Sequence, residues 1–244
     1  MQKNSPVKDG ERLDDLECKS LFVIQKKGGY AFTSDAVLLA NSVRAYKDET
    51  VVDLGTGSGV IAILLAAKTP ARRIVGVEIQ SALADMARRS VAYNDLEERI
   101  EIKNMDMRMT PDLFKGNGAD VVVTNPPYFK KCDGEVSEKS IARSEIAITL
   151  EEVIRVASET LKFGGRFYMI CKTERLADAL FYMRSYGIEP KTLRMVVPKP
   201  GRTADTFIAE GRKDGGEGFK LLPDLIVREE DGELSEEARR MYGK

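Results

Sequence analysis

Histidine is missing from the whole 244-residue sequence. Ser-His-Asp hydrolysis, Cys-His proteolysis and histidine-ligated metal catalysis all need an imidazole, so the sequence excludes them. Any reaction must instead use amides, carboxylates, hydroxyls, backbone groups or a cofactor. We therefore expect no catalytic metal.

Cysteines and long apolar runs are also scarce. Cys18, Cys132 and Cys171 are odd in number and far apart, which argues against a disulfide framework or a zinc site and for a reducing compartment. No run approaches the roughly 18 apolar residues of a membrane span. The charged segment 1–17 does not resemble a secretory signal. We expect a cytoplasmic protein with no membrane partner. The sequence leaves its oligomeric state open, with a monomer among the options.

An excess of positive charge is absent as well, since the net charge is −1 and the isoelectric point is about 5.9. Proteins dedicated to nucleic acids usually carry a basic excess, because phosphate neutralisation supplies much of their affinity. Nucleic-acid binding by this chain therefore requires its basic residues to be concentrated on one face.

Short β-rich runs alternate with helical patterns over residues 50–211. This alternation predicts an α/β fold: a doubly wound, mostly parallel, seven-stranded sheet that ends in an antiparallel hairpin. We expect one domain, with an N-terminal addition over 1–49, a catalytic core over 50–211 and a charged tail over 212–244. The expected strands are 50–54, 73–78, 100–102, 119–124, 166–171, 192–197 and 205–210. The expected helices are 35–43, 60–68, 81–94, 150–161 and 174–186, with Ser81 as an N-cap.

A glycine-rich segment, Asp53-Leu54-Gly55-Thr56-Gly57-Ser58-Gly59, joins the first of these strands to the first core helix. Glycines let the chain turn tightly and let a ligand approach the backbone, where the helix N-terminus offers unpaired N–H groups. A tight turn without a ligand is the alternative interpretation of this segment.

Two acidic residues indicate which ligand the loop can hold. Glu78 ends the next strand, where an acid can bind ribose hydroxyls. The loop lacks the third glycine of a dinucleotide site, because position 60 is Val60, and Asp53 suits a cationic ligand better than a phosphate. S-adenosylmethionine has this character, with a ribose, an ammonium and a sulfonium.

The tetrad Asn125-Pro126-Pro127-Tyr128 directly follows the strand 119–124. The Asn125 side-chain oxygen and the Pro126 carbonyl can each accept a hydrogen bond from an amino group, and this aims its lone pair at a methyl donor. Tyr128 offers an aromatic face on which a planar group can stack. A rigid turn with Tyr128 as ordinary packing is the alternative.

Taken together, the glycine loop, Glu78 and the tetrad resemble the class I S-adenosylmethionine-dependent methyltransferases. The resemblance implies that the loop holds the methionine part of the cofactor, Glu78 the ribose and Asp106 the adenine ring; an N-cap is the alternative role for Asp106. The implied cofactor-binding residues are Asp53, Gly55, Thr56, Gly57, Gly59, Glu78, Ile79, Asp106, Met107, Asn125 and Thr33. The implied catalytic residues are Asn125, Pro126, Pro127 and Tyr128.

Within that class, the sequence is most similar to bacterial tRNA adenine-N6 methyltransferases that modify a valine-accepting tRNA. The segments 29–39, 142–145, 198–202 and 210–213 carry this resemblance beside the tetrad. It implies that Phe32 to Asp35 line the cofactor or base pocket, although Thr33 or Ser34 can equally be a helix N-cap. It also implies a tRNA partner and methylation of the exocyclic N6 amino group of adenine.

Several basic or aromatic residues are candidates for contact with that RNA. The substrate-binding candidates are Tyr128, Phe129, Lys130, Lys131 and Arg143. Residues that can extend the same face are Lys26, Lys27, Lys199, Arg202, Arg212 and Lys213. Solvated surface charge is the simpler interpretation of each residue taken alone.

Other functions fit parts of the pattern. The first alternative is N5-methylation of a glutamine in a protein such as a release factor, although only about 50 residues precede the first core strand and they do not resemble a helical domain. Methylation of another RNA or DNA adenine, or of a small molecule, is also compatible with the tetrad. A cofactor-binding module without catalysis is opposed by the intact tetrad.

Overall fold

The computed structural model describes residues 6–28, 34–126 and 148–243. Its strands are β1 (Glu11–Asp15), β2 (Phe22–Lys26), β3 (Thr50–Leu54), β4 (Arg73–Glu78), β5 (Ile100–Asn104), β6 (Ala119–Thr124), β7 (Leu161–Lys172), β8 (Ile188–Val197), β9 (Thr206–Lys213), β10 (Lys220–Leu221) and β11 (Leu225–Ile226). Its helices are α1 (Ser34–Ser42), α2 (Val60–Lys68), α3 (Ser81–Tyr93), α4 (Thr110–Leu113), α5 (Leu150–Thr160), α6 (Leu176–Ser185) and α7 (Glu236–Tyr242).

The main sheet has the order β10-β8-β9-β7-β6-β3-β4-β5, and β11 also pairs with β8. Strand β9 is antiparallel to both β7 and β8, whereas β3, β4, β5, β6 and β7 are mutually parallel. The predicted α/β fold, mostly parallel with an antiparallel hairpin near its end, is confirmed. The predicted number of seven strands is wrong for the described residues, because the two-residue strands β10 and β11 add to the outer side of β8.

Alternate residues of the central strands enter two cores, one on each face of the sheet. Val51 and Val121 belong to the core that is packed under α1, α2 and α3. Val52 and Val122 belong to the core on the other face, with residues of α5 and α6. Strands buried on both faces require near-continuous apolar runs, which is why these segments could be recognised in the sequence.

The segment before the core sheet forms the hairpin β1–β2 and helix α1. Leu16, Val23 and Leu38 are buried in the same core as α2. The last residues also join this structure, because β10 and β11 pair with β8 and α7 contacts α1. The predicted limit of the core at 211 falls inside β9, which ends at Lys213.

Several predicted element ends are corrected by the structure. Ser81 is the first residue of α3, and Gln80 occupies the N-cap position. Strand β7 begins at Leu161, five residues before the predicted start at Arg166. The predicted helix 174–186 divides into a 3₁₀ turn over Thr173–Arg175 followed by α6.

Among the described residues, none of the helices has the length and apolar character needed to cross a bilayer. The same described part of the chain has no group of three or more cysteine, aspartate and glutamate residues arranged to hold a metal ion.

Candidate active site at the carboxyl ends of the strands

Four chain segments meet where parallel strands β3, β4, β5 and β6 end. Leu54 is paired with Val77 of β4 and with Thr124 of β6. Glu78 is in turn paired with Asn104 of β5. Because neighbouring strands lie about 4.8 Å apart, the glycine loop, Glu78 and Asn125 leave the sheet side by side. Crevices at this edge are where open α/β sheets bind ligands.

The glycine loop adopts the backbone conformation that its sequence predicts. Gly55, Gly57 and Gly59 have φ angles of +76°, +58° and +89°, a region that residues with a side chain rarely occupy. A Cβ atom on Gly59 would lie 3.2 Å from Cβ of Ala87 in α3, so this glycine also permits close packing. The loop is held to β4 by the amides of Gly55 and Thr56, which both donate to the Val77 carbonyl at 2.9 and 3.0 Å.

Asp53 is completely buried at the last but one position of β3. Its Oδ2 accepts a hydrogen bond of 2.5 Å from Thr56 Oγ1, whereas its Oδ1 has no hydrogen-bond partner among the described residues. Burial raises the pKa of Asp53 from 3.8 to about 7, and the nearby Glu78 carboxylate adds to the rise. A buried carboxylate oxygen without a partner is suited to receive a cationic group of a ligand.

Glu78 is also buried, at the end of β4. Its two carboxylate oxygens accept backbone hydrogen bonds from Gly57 at 3.0 Å and from Gln80 at 2.8 Å. Burial raises the pKa of Glu78, and these backbone donors oppose the rise. The amide of Gly57 therefore fixes the carboxylate relative to the glycine loop, and binding of ribose hydroxyls by Glu78 stays a prediction.

Asp106 acts as an N-cap, which is the alternative that the sequence left open beside a ligand contact. Its side chain accepts a hydrogen bond from the Arg108 amide at the start of the 3₁₀ turn Met107–Met109. It also forms a bidentate ion pair with the Arg108 guanidinium, in which the shortest contact is 2.6 Å. The hydrogen bond from that guanidinium lowers the pKa of Asp106. A contact between Asp106 and adenine stays a prediction.

The other predicted cofactor residues border the same crevice. Met107 is half-buried, and its Cε would lie 3.6 Å from a Cβ atom on Gly55. Ile79 is exposed immediately after Glu78. Thr56 is buried against Asp53. Together with the partnerless Asp53 oxygen, these residues fit a ligand that carries a cation, a ribose and an apolar or aromatic part.

Only the first half of the tetrad lies in the described part of the chain. Asn125 is half-buried and Pro126 is buried directly after β6. The remaining predicted residues lie outside the described residues: Thr33, Pro127, Tyr128, Phe129, Lys130, Lys131 and Arg143. Their assigned roles stay predictions.

The topology of β9 places the candidate basic residues of the described chain at two ends of the strands. Lys199 and Arg202 lie in the turn between β8 and β9, at the same edge as the glycine loop. Lys26 and Lys27 follow Gln25, which contacts that loop. Arg212 is paired with Arg166 near the start of β7, at the opposite edge of the sheet. Arg212 thus lies at the opposite end of the strands from Lys199 and Arg202, and a shared face with Lys130 and Lys131, which lie outside the described residues, stays a prediction.

Two residues near the site, Gln25 and Asn104, were missed from the sequence. Gln25 donates to Ser58 in the glycine loop at 2.7 Å. Asn104 donates to the carbonyls of Glu78 and Ile79 at 2.9 and 3.0 Å and so holds the β4 end. Asn104 could have been proposed from the sequence, because it is a polar residue at the end of a strand. No feature of the sequence around Gln25 indicates its contact with the loop.

The strand order and the glycine loop define a class I methyltransferase fold. The methyltransferase small domain family matches residues 32–184, and the chain belongs to this family. The predicted family is thus confirmed.

Relatives with curated names support the same family. A Bacteroides thetaiotaomicron protein named tRNA1(Val) (adenine(37)-N6)-methyltransferase is 32% identical over 236 residues, which cover 94% of this chain and 92% of the relative. A Porphyromonas gingivalis protein of the same name is 32% identical over 164 residues, 66% of this chain. That match spans 64% of the relative's length.

Solved structures share the fold. A predicted O-methyltransferase from Agrobacterium tumefaciens has a TM-score of 0.71 at 22% identity, covering 85% of this chain and 95% of its own. The M. jannaschii protein TYW2 in complex with AdoMet has a TM-score of 0.58 at 16% identity, covering 84% and 86%. At these identities the likeness concerns the fold.

Proposed function

We propose that this protein transfers the methyl group of S-adenosylmethionine to the exocyclic N6 amino group of adenine in tRNA. One observation carries the proposal: the cofactor-type glycine loop and Asn125-Pro126 leave adjacent strands at paired positions, Leu54 and Thr124. A methyl donor in the loop and an amino group at Asn125 would then be neighbours. The names of the relatives support tRNA adenine as the acceptor.

The residues of the crevice fit each part of the donor. Asp53 Oδ1, buried without a hydrogen-bond partner among the described residues, would bind the ammonium of the methionine part. Glu78 would bind the ribose hydroxyls while the Gly57 amide holds its carboxylate. When bound, S-adenosylmethionine supplies a methyl group on a positively charged sulfur.

Asn125 and Pro126 would prepare the acceptor. The lone pair of an adenine amino group is delocalised into the ring, which makes the group a poor nucleophile. Two acceptors, the Asn125 side-chain oxygen and the Pro126 carbonyl, would take the two N–H bonds and direct the lone pair toward the methyl carbon. One carbon–nitrogen bond forms as one carbon–sulfur bond breaks, and the amino group then releases one proton. This scheme needs no histidine.

With tRNA as the substrate, we place the reaction in the cytoplasm. Pro127 and Tyr128 complete the proposed base site, with Tyr128 stacking on the target base. Phe129, Lys130, Lys131 and Arg143 are proposed to contact the RNA, and Thr33 to line the cofactor pocket.

The test is incubation of the purified protein with methyl-labelled S-adenosylmethionine and, separately, total tRNA, DNA and a release factor. The expected result is label in tRNA, recovered as N6-methyladenosine after nucleoside analysis. Label in the release factor alone would replace the proposal by glutamine methylation, and label in DNA alone by DNA adenine methylation. Failure to bind S-adenosylhomocysteine in calorimetry would remove the methyltransferase assignment itself.

A further inference from the structure

Gln25 of the N-terminal hairpin contacts the glycine loop from outside the core sheet. Its side chain is 3% exposed, and its Nε2 donates a 2.7 Å hydrogen bond to Oγ of Ser58, which is itself buried. Ser58 lies between Gly57 and Gly59, the two glycines whose positive φ angles shape the loop. The pair thus joins segments that are 33 residues apart in sequence.

Strand β2 is held in place independently of this contact. One of its edges pairs with β1 along five residues. On its other edge, the Ile24 amide donates to Ser90 Oγ at 2.9 Å, and Asn94 exchanges hydrogen bonds of 2.9 and 2.7 Å with the backbone of Phe22. Ser90 belongs to helix α3, and Asn94 is the C-cap residue of that helix. Gln25 therefore approaches the loop from a fixed support.

The position of Ser58 bears on the candidate ribose site. The neighbouring amide of Gly57 donates to Glu78 Oε2 at 3.0 Å, so a shift of Ser58 would move this donor. A buried amide side chain is costly unless its polar atoms are paired, and an apolar residue would serve packing alone. The amide at position 25 instead provides a donor to the loop.

We propose that Gln25 is a positioning residue that holds the glycine loop, and through it Glu78, in the geometry that binds the cofactor. This inference rests on the proposed function, because it assumes that the loop binds S-adenosylmethionine. It assigns the N-terminal hairpin a role in cofactor affinity. Gln25 acts through Ser58 and does not itself contact the reacting atoms.

The test compares Gln25→Met, Ser58→Ala and the double variant. Methionine keeps about the same volume but cannot donate a hydrogen bond. We expect each single variant to weaken S-adenosylhomocysteine binding in calorimetry by about tenfold, the effect of losing one buried hydrogen bond. The KM for S-adenosylmethionine should rise in parallel while kcat at saturation stays within about twofold. The affinity of the double variant for S-adenosylhomocysteine should be no lower than that of the single variant with the lower affinity.

Ser158→Ala is the matched control, since it removes a buried serine hydroxyl that donates to the Tyr186 carbonyl at 2.6 Å and accepts from Lys213 at 2.8 Å, away from β2 and the glycine loop. It should lower the melting temperature without changing cofactor affinity. Equal affinity of Gln25→Met and the unaltered protein, or additive effects in the double variant, would overturn the inference. If Gln25→Met does not fold, Ser58→Ala decides alone, with unchanged affinity again contradicting the inference. Absence of binding by the unaltered protein would instead refute the proposed function.

Discussion

Thr124 and Leu54 face each other at the ends of neighbouring strands, and Thr124 Oγ1 donates a 3.0 Å hydrogen bond to the Leu54 carbonyl. The next residues along the two strands are Asn125 and Gly55, which begin the proposed acceptor site and the cofactor loop. One buried hydroxyl thus sets the spacing between the two halves of the proposed active site.

Thr124→Val should therefore affect both stability and turnover. The change keeps the shape but leaves the Leu54 carbonyl without this donor, at a cost of about 1 kcal/mol in the free energy of unfolding. We expect a lower kcat with nearly unchanged cofactor affinity, because Gly55 is still held by Val77. Thr124→Ser retains the hydroxyl and serves as the control in denaturant unfolding and steady-state assays. Equal kcat in both variants would contradict this role.

The stability of the protein should decrease as the pH rises through the range where Asp53 ionises. Its pKa is raised from 3.8 to about 7 in the folded protein, mainly by burial, so the folded state binds a proton that the unfolded chain has already released. The slope of this contribution approaches about −1.4 kcal/mol per pH unit between the two values. Asp53→Asn, measured by chemical unfolding at several pH values, should lack this slope. An unaltered slope in the variant would show that other groups cause it.

Cofactor affinity should depend on the same group in the opposite direction. A cationic ammonium near Asp53 favours the charged carboxylate, so binding of S-adenosylhomocysteine should tighten as the pH rises through about 7. The dissociation constant should fall by at most about tenfold per pH unit in that range. Calorimetry on Asp53→Asn should show weaker binding with little pH dependence. Identical pH profiles would rule out contact between Asp53 and the ammonium.

Asn125→Ala should separate methyl transfer from cofactor binding. Loss of the acceptor on the proposed amino group should lower kcat by about 100-fold or more, the cost typical of one hydrogen bond made at the reacting centre. S-adenosylhomocysteine binding should change little, since Asp53 and Glu78 remain. Asn117→Ala, an exposed asparagine at the opposite edge of the sheet, is the matched control. Turnover of the Asn125 variant at the control rate would exclude the assigned role.

Substitutions of two exposed arginines, Arg202 in the turn before β9 and Arg212 on β9, can show where RNA binds. Arg202 lies in the turn before β9, at the end of the strands that carries the candidate site, and Arg212 lies near the other end of β9. Arg202→Glu should weaken tRNA binding. It should also reduce the slope of log affinity against log salt concentration by the amount expected for the loss of about one phosphate contact. Arg212→Glu makes the same charge change and should leave both quantities as they are. Equal effects of the two substitutions would indicate a non-specific response to net charge.

The sequence was sufficient for the elements whose signals are local. Strand β3 and helix α2 have the predicted bounds, because an apolar run, a glycine turn and a second apolar run follow one another directly. Asp53 was likewise recognisable as an acid directly before that turn, and Glu78 as an acid at the end of the next apolar run. These features depend on neighbouring residues and not on distant pairing.

Elements that depend on distant contacts were predicted poorly. The predicted strand began only at Arg166, directly after Gly164 and Gly165, yet β7 runs through both glycines, with Gly164 at φ +70° and a register shift against β6. A bulge accommodates glycine inside a strand, so the glycines mark an irregularity instead of an end. The exposed pair Lys220–Leu221 carries no strand pattern, and its pairing is imposed by β8. The Gln25–Ser58 contact requires β2 to be docked on α3, which the sequence of β2 alone does not contain.

Residues 220–242 cover the outer edge of β8 and so oppose its pairing with the sheet of another molecule. Backbone amides of Leu222 and Val227 donate to Leu193 and Val197, and Arg194 of β8 forms a two-pronged ion pair with Glu237 of α7. A long exposed strand edge is a template on which another chain can add by backbone hydrogen bonding. By covering much of β8, residues 220–242 leave β5 as the more open lateral strand of the described sheet. Removing residues 220–242 would expose the edge of β8 to pairing with another chain, on the side of the sheet away from β3 and β4. Aggregation of such a truncated chain would therefore give no information about methyl transfer.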